Sequence, residues 1–309
     1  MKTLVYTLFA LLAFAGNSIL CRVALGNDLI DPASFTAIRL LSGVAVLVII
    51  MQLARFKRVK FAGELSQQSQ HSSNHASAGL ISYRPQARSK GSWKAALMLF
   101  VYALTFSYAY TSLDTGTGAL ILFGAVQITM IVVGAISGQK LHFSEWFGVM
   151  IAFSGFVYLV MPGASAPSIS GFVLMAVSGV AWGFYTLEGK QSSEPISDTS
   201  YNFIRTLPLV IILSIATIPF STITPTGILL TIISGGLASA VGYVIWYAAL
   251  AGLTGIQASV VQLLVPVIAA IGGVIFADEV FSLRLGISSL VILSGIMIVL
   301  LGKHYLSKR

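Results

Sequence analysis

Charge is what this sequence has least of. Only 9% of its 309 residues are charged, against 56% hydrophobic, and the mean hydropathy is +0.90. A water-soluble globule of this size needs more polar surface than that, so the composition excludes one and requires lipid as the solvent. Cysteine is nearly absent as well. The single Cys21 excludes an intrachain disulfide and reads as a small apolar core residue. Acids are outnumbered, 10 against 18 basic residues, and none lies near the centre of an apolar run. That absence counts against a membrane-buried proton relay. The net charge of +8 bears on orientation in the bilayer rather than on nucleic-acid binding. Enzyme motifs are also missing. There is no HExxH and no GxSxG, and His142 and His304 stand at run edges without carboxylates at a motif spacing. No catalytic residue, resident metal or cofactor is expected.

What is present is long apolar runs. A bilayer-spanning helix needs about 20 apolar residues. Ten such runs are legible, at 3–25, 34–54, 94–113, 116–138, 145–161, 170–189, 200–219, 226–251, 255–276 and 283–302. An Ala13-Phe14-Ala15 sequence offers a competing reading of the first run as a signal peptide, but the run continues to Leu25. Between the second and third runs, residues 55–93 carry seven basic residues and one acid, Glu64, around a Ser/Gln/Asn-rich centre. Such a segment buries too little surface to offset its ordering entropy, so it is expected to be a disordered cytoplasmic loop. His71 and His75 within it are four apart, a weak metal pair against the solvated-loop reading. Alternating loops then place Lys140, Lys190 and the basic tail on the same side as this loop, and Asp28, Asp31, Asp114, Asp278 and Glu279 on the other. By the positive-inside rule both termini are cytoplasmic, in the inner (cell) membrane.

The chain repeats itself. SFTAIRL at 34–40 matches SYNFIRT at 200–206, and YTSLDTGTG at 110–118 matches YAALAGLTG at 247–255. Residues 1–162 and 163–309 each hold five runs, an odd number, so the second half enters the membrane upside down. The expected fold is therefore all-α, ten transmembrane helices as two inverted five-helix repeats. Inverted repeats commonly place a substrate site near mid-membrane on the pseudo-two-fold axis, which points to a transporter.

These residues resemble the EamA-type members of the drug/metabolite transporter superfamily over nearly the whole chain. Trp182-Gly183 resembles that family's first-helix motif, Arg39 and Arg205 its second-helix arginine, Pro266 its fourth-helix proline and Glu279 the acid closing that helix. Phe14, Thr129, Gln139 and the long second loop depart from the pattern in the first half. The resemblance implies ten helices, cytoplasmic termini and transport of a small metabolite, often export.

Candidate substrate-binding residues follow from polarity and depth. Gln127 lies near the middle of a bilayer-length run and must find a hydrogen-bond partner in protein or a water-filled cavity. It shares a stripe with Gly124, Ile131, Gly134 and Gly138 that is expected to pack on protein. In the second half, Pro266 withdraws a helix bond from the carbonyl of Gln262. In the repeat alignment Gln262 overlays Ala125, and Gln127 overlays Leu264, so the site should be asymmetric. Tyr102, Phe106, Trp182, Tyr185 and Tyr243 are aromatic residues of the kind that lines a cavity for amphipathic solutes, and Asn17 is a further polar candidate. Tyr110, Tyr247 and Trp146, near run ends, read as interfacial belt residues. Arg39 and Arg205 read as anchors paired with acids or carbonyls, ahead of binding a substrate carboxylate. The Gly134/Gly138 and Gly179/Gly183 pairs serve either internal packing or a homodimer.

The expected function is carriage of a small organic metabolite, amino-acid-like or aromatic, with the lipid bilayer as the other partner. A non-transporting membrane receptor or scaffold built on the basic loop is the alternative.

Overall fold

The computed structural model describes residues 2–72, 91–138, 143–161, 163, 166–189, 194–250, 252–253 and 261–306. Its helices are α1 (Lys2–Gly26), α2 (Pro32–Ser72), α3 (Trp93–Ala109), α4 (Thr115–Ile136), α5 (Phe143–Val160) and α6 (Ile169–Gly189) in the first part. There follow α7 (Pro195–Arg205), α8 (Leu207–Thr217), α9 (Pro225–Ile232), a π-helical segment (Ile233–Val241), α10 (Gly242–Leu250), α11 (Leu264–Phe276) and α12 (Leu283–Leu306). Among the described residues, the only extended pairing is an isolated antiparallel bridge between Ile30 and Ile223.

Among the described residues, six stretches are long and apolar enough to cross a membrane: Lys2–Gly26, Pro32–Ala54, Thr115–Ile136, Ile169–Gly189, Ile196–Phe220 and Pro225–Trp246. Shorter apolar helices, Trp93–Ala109, Trp146–Val160, Leu264–Phe276 and Leu283–Ile298, fill the remaining places in the expected order. The outer faces are apolar, as lipid contact demands. Phe147, Met150 and Phe153 of α5, Ile211, Ile212 and Ile215 of α8, and Ile271 and Ile275 of α11 are all exposed.

Packing follows the repeat. A two-fold that exchanges each span with the one five places on sends the α3–α6 contact onto α1 with α10 and the π segment, and the α4–α6 contact onto α1–α11. It returns α2–α7/α8, α4–α11 and α5–α12 to themselves. All of these contacts are made. The fold is all-α, with ten membrane helices in two inverted five-helix repeats.

Close approach between helices depends on small residues. A Cβ on Gly179 of α6 would meet the Leu122 carbonyl and Ala125 of α4, and one on Gly183 would meet Thr129. This glycine pair therefore serves packing inside the chain. A Cβ on Gly235, in the π segment, would overlap the Arg39 carbonyl oxygen and Ser42 Oγ of α2.

Three details depart from the sequence expectations, and a fourth lies near Pro266, where a lost helix bond was expected. Residues 55–72 continue α2 as helix rather than beginning a loop, because Arg, Lys, Ala, Glu, Leu and Gln are good helix formers and extending an existing helix needs no new nucleus. The remainder of the expected loop, 73–90, and the second histidine of the His71/His75 pair lie outside the described residues. Span seven is broken at Thr206 between α7 and α8. Pro208, two residues on, has no N–H for the Ile204 carbonyl and disfavours helical backbone just before itself. Span eight contains the π segment, built from ISGGLASAV. In span nine the helix is interrupted at Leu263, three residues before Pro266, with 254–260 outside the described residues. The equivalent residue in the first half, Thr129, donates its hydroxyl to the Ala125 carbonyl at 2.7 Å, and α4 runs unbroken.

Candidate functional site

Helices of both repeats enclose a cavity of about 20 Å³. From the first half, α1 contributes Phe14, Asn17 and Ser18, α3 contributes Tyr102 and Phe106, and α4 contributes Leu122 and Phe123. From the second half, Trp182 comes from α6, Ala238 and Ser239 from the π segment, and Tyr243 from α10. A volume of this size holds about one water molecule. Any larger solute is admitted only when the helices around it separate.

The lining is mostly aromatic and the rings touch one another. Trp182 sits 4.7 Å from Tyr102, 5.0 Å from Tyr243 and 5.3 Å from Tyr185, centroid to centroid. Phe14 packs edge-on to Tyr243 at 6.0 Å, and Phe106 lies 5.5 Å from Tyr102. These rings come from α1, α3, α6 and α10, so they join the repeats across the two-fold. Among the polar residues, Asn17 Oδ1 accepts the Ser234 hydroxyl at 2.6 Å, and Ser178 Oγ donates to the Tyr102 carbonyl at 3.0 Å.

Behind this wall lies Arg39, 2% exposed. It stands seven residues into α2, about 10 Å from the helix start at 1.5 Å per residue. Its Nη2 donates to the Tyr102 hydroxyl at 3.0 Å and its Nε to Ser239 Oγ at 3.3 Å. The guanidinium carbon is 5.3 Å from the Tyr102 ring centre and 4.9 Å from that of Phe106, within cation–π range. Nη1 has no hydrogen-bond partner among the described residues. Nor does any Asp or Glu among them pair with it. The expectation of an acid or carbonyl anchor is thus corrected: two hydroxyls and two ring faces hold this cation, because the span interior has no carboxylate to offer. Its repeat partner Arg205 lies instead over Trp93 and Tyr201, at 5.8 and 6.0 Å.

Of the sequence candidates, the structure gathers Asn17, Tyr102, Phe106, Trp182 and Tyr243 on the cavity wall. Tyr185 stacks behind Trp182. Gln127, Gln262 and Pro266 lie off the lining. Gln127 is 1% exposed and its Nε2 has no partner among the described residues; it stands one turn along α4 from the lining residue Phe123. Ser18, Ser239 and Phe14 are lining residues that sequence reasoning did not single out. The small-residue run SGGLASA was the available signal for Ser239, and the Phe14 position was visible as the counterpart of Trp182. Tyr110 is corrected from belt residue to core: it is fully buried against Phe106, at 4.8 Å, and its hydroxyl donates to the Thr115 carbonyl at 3.3 Å. The Tyr247 side chain lies outside the described residues, whereas Trp146 is exposed.

Charged residues gather at the two ends of the bundle. At one end Glu279 accepts the Thr115 backbone N–H at 2.8 and 2.9 Å, at the start of α4. There a carboxylate meets both unpaired donors and the positive end of the helix dipole. Arg22 joins it, with Nε 3.2 Å from Glu279 Oε1 and Nη2 3.7 Å from Asp114. At the other end Glu188 pairs with Lys94 at 2.5 Å rather than with Lys190, which lies outside the described residues.

Comparison with known proteins gives a consistent answer. The profile of the EamA-like transporter family matches residues 169–301. An uncharacterized protein of Pseudomonas aeruginosa is 42% identical over 299 residues, covering 97% of this chain and 94% of that one. An uncharacterized transporter of Archaeoglobus fulgidus is 28% identical over 240 residues, covering 72% of this chain and 81% of its own. A solved crystal structure superimposes with a TM-score of 0.60 at 16% identity, covering 96% of this chain and 98% of that one; at that identity the likeness is one of fold.

Proposed function

The chain belongs to the EamA-like transporter family, and from that premise we propose that it carries a small organic metabolite, amino-acid-like or aromatic, across the inner (cell) membrane by alternating access. The observation that supports this reading is the aromatic cavity between the repeats, lined by Tyr102, Phe106, Trp182 and Tyr243. A site on the two-fold is reached from either side when one half-bundle rocks against the other. Asn17 supplies a polar group on the cavity wall and Tyr185 backs Trp182, while Gln127, Gln262 and Pro266 stand off the wall and would act as the helices separate. The repeats divide at 162/163, the charge distribution read above supports cytoplasmic termini, and the family resemblance favours export as the direction.

The test is flux in proteoliposomes containing the purified chain, with labelled amino acids and aromatic acids, under imposed proton or sodium gradients. Trp182→Ala and Gln127→Ala are expected to lower flux at least tenfold at unchanged membrane abundance. Full activity in both variants overturns this site.

A further inference from the structure

Two cavity hydroxyls are held as acceptors from behind. Tyr102 Oη receives Nη2 of Arg39 and Ser239 Oγ receives Nε. A hydroxyl that accepts from a cation keeps its own proton to donate elsewhere, and the charge behind it strengthens that donation. Both residues line the cavity; the Tyr243 hydroxyl also bonds with that of Tyr102, so the Ser239 proton and one proton of the tyrosine pair are available to whatever occupies it. Among the described residues the lining holds no carboxylate and Arg39 is paired with none. Buried charge is costly unless an opposite charge and hydrogen bonds accompany it. Here the bonds and the ring faces are present, and Nη1 has no partner among the described residues. The site is therefore electropositive, aromatic and without an acceptor charge for an ammonium group.

We infer that the cavity takes a monocarboxylate with an aromatic or other apolar body, in preference to a zwitterionic amino acid, with the carboxylate on the Tyr102 and Ser239 hydroxyls and Arg39 behind them. This rests on the carrier reading and narrows its substrate class. The rings of Trp182 and Tyr243 flank the apolar body. Arg39 acts as a positioning residue while its two hydroxyl partners stand between it and the cavity. The repeat-equivalent Arg205 cannot substitute, since it lies over Trp93 and Tyr201. The site has one carboxylate position, not two.

The experiment compares phenylacetate, phenylacetamide and phenylalanine as ligands of the purified full chain by equilibrium dialysis, and as substrates in proteoliposomes. These share a ring and differ in charge. Phenylacetate is expected to bind at least tenfold more tightly than either of the others. Arg39→Gln is expected to abolish that preference and Arg39→Lys to restore part of it. Should the Arg39 variants fail to fold, Tyr102→Phe and Ser239→Ala keep the cation and each remove one donor; each is expected to reduce the acid-over-amide ratio at least threefold. Flux of phenylalanine or the amide with no advantage for the acid overturns the inference and leaves the carrier reading standing. An acid preference that survives Tyr102→Phe and Ser239→Ala undiminished also overturns it. If none of the three binds or moves, the carrier reading of this cavity falls and the inference falls with it.

Discussion

Asp31 and Asp198 fasten the two repeats together at opposite ends of the bundle. Asp31 Oδ2 accepts the backbone N–H of Thr222 at 3.1 Å, and Asp198 Oδ1 accepts that of Gly91 at 2.8 Å. Each stands just ahead of the repeated Ser34/Ser200 position, and each reaches the loop leading into the other half's third helix. Neighbouring bonds reinforce both. Leu29 accepts from Thr224, through its backbone N–H at 3.0 Å and its hydroxyl at 2.7 Å, and Asn202 accepts the Ser92 N–H at 2.9 Å. Gly91 adopts φ +65, a left-handed turn that favours glycine, immediately before Ser92 caps α3.

The Asp31 end carries an additional fastening, the Arg22–Glu279 pair on the start of α4. Cys21, adjacent to Arg22, is completely buried and reports on it. In Glu279→Gln the charge-assisted bonds to Thr115 and Arg22 weaken, at a cost of about 1–3 kcal/mol. Maleimide labelling of Cys21 is expected to accelerate at least tenfold, whereas Glu188→Gln at the other end leaves it unchanged. Equal labelling rates in all three proteins would show that this pair does not control access from that end.

Gly235→Ala should be among the most damaging small substitutions. Its methyl would overlap the Arg39 carbonyl and Ser42 Oγ, forcing the π segment from α2 and moving Ser239 away from Arg39. Overpacking of this kind costs about 1–3 kcal/mol. Gly16→Ala is the control, because a Cβ there meets nothing within 4 Å. Thermal unfolding in detergent is expected to drop for the first and stay level for the second.

Pro266→Thr transplants the first-half residue into the second. Thr129 bonds back to Ala125 and keeps α4 continuous; the same side chain at 266 is expected to join the helix across Leu263. Removing an interior proline stabilises a helix by up to about 3 kcal/mol. The expected result is a higher unfolding temperature with flux reduced severalfold. Higher stability with undiminished flux would make the break a packing feature alone.

The Arg39 environment shows where sequence reasoning reaches its end. Its depth was legible, since Arg39 falls seven residues into an apolar helix. Its partners were not. Tyr102 is 63 positions away and Ser239 is 200, and no periodicity within one helix encodes which face of another it meets. The aromatic residues Tyr102, Phe106, Trp182 and Tyr243 stand deep in their spans, and all four meet on the cavity wall. Gln127 was conspicuous as an amide among apolar residues, yet conspicuousness fixes depth and not direction.

The solvent, the number of spans, the duplication and its inversion were all legible in the sequence. These follow from composition, run length and the parity of five, quantities that add along the chain and need no three-dimensional knowledge. That span eight carries a π segment against α2, and that the Arg39 guanidinium backs the cavity hydroxyls, emerges only with the packed helices. Those depend on how closely two helices approach and which carbonyl or ring they meet there. Close contacts between distant segments exist only once the helices have packed.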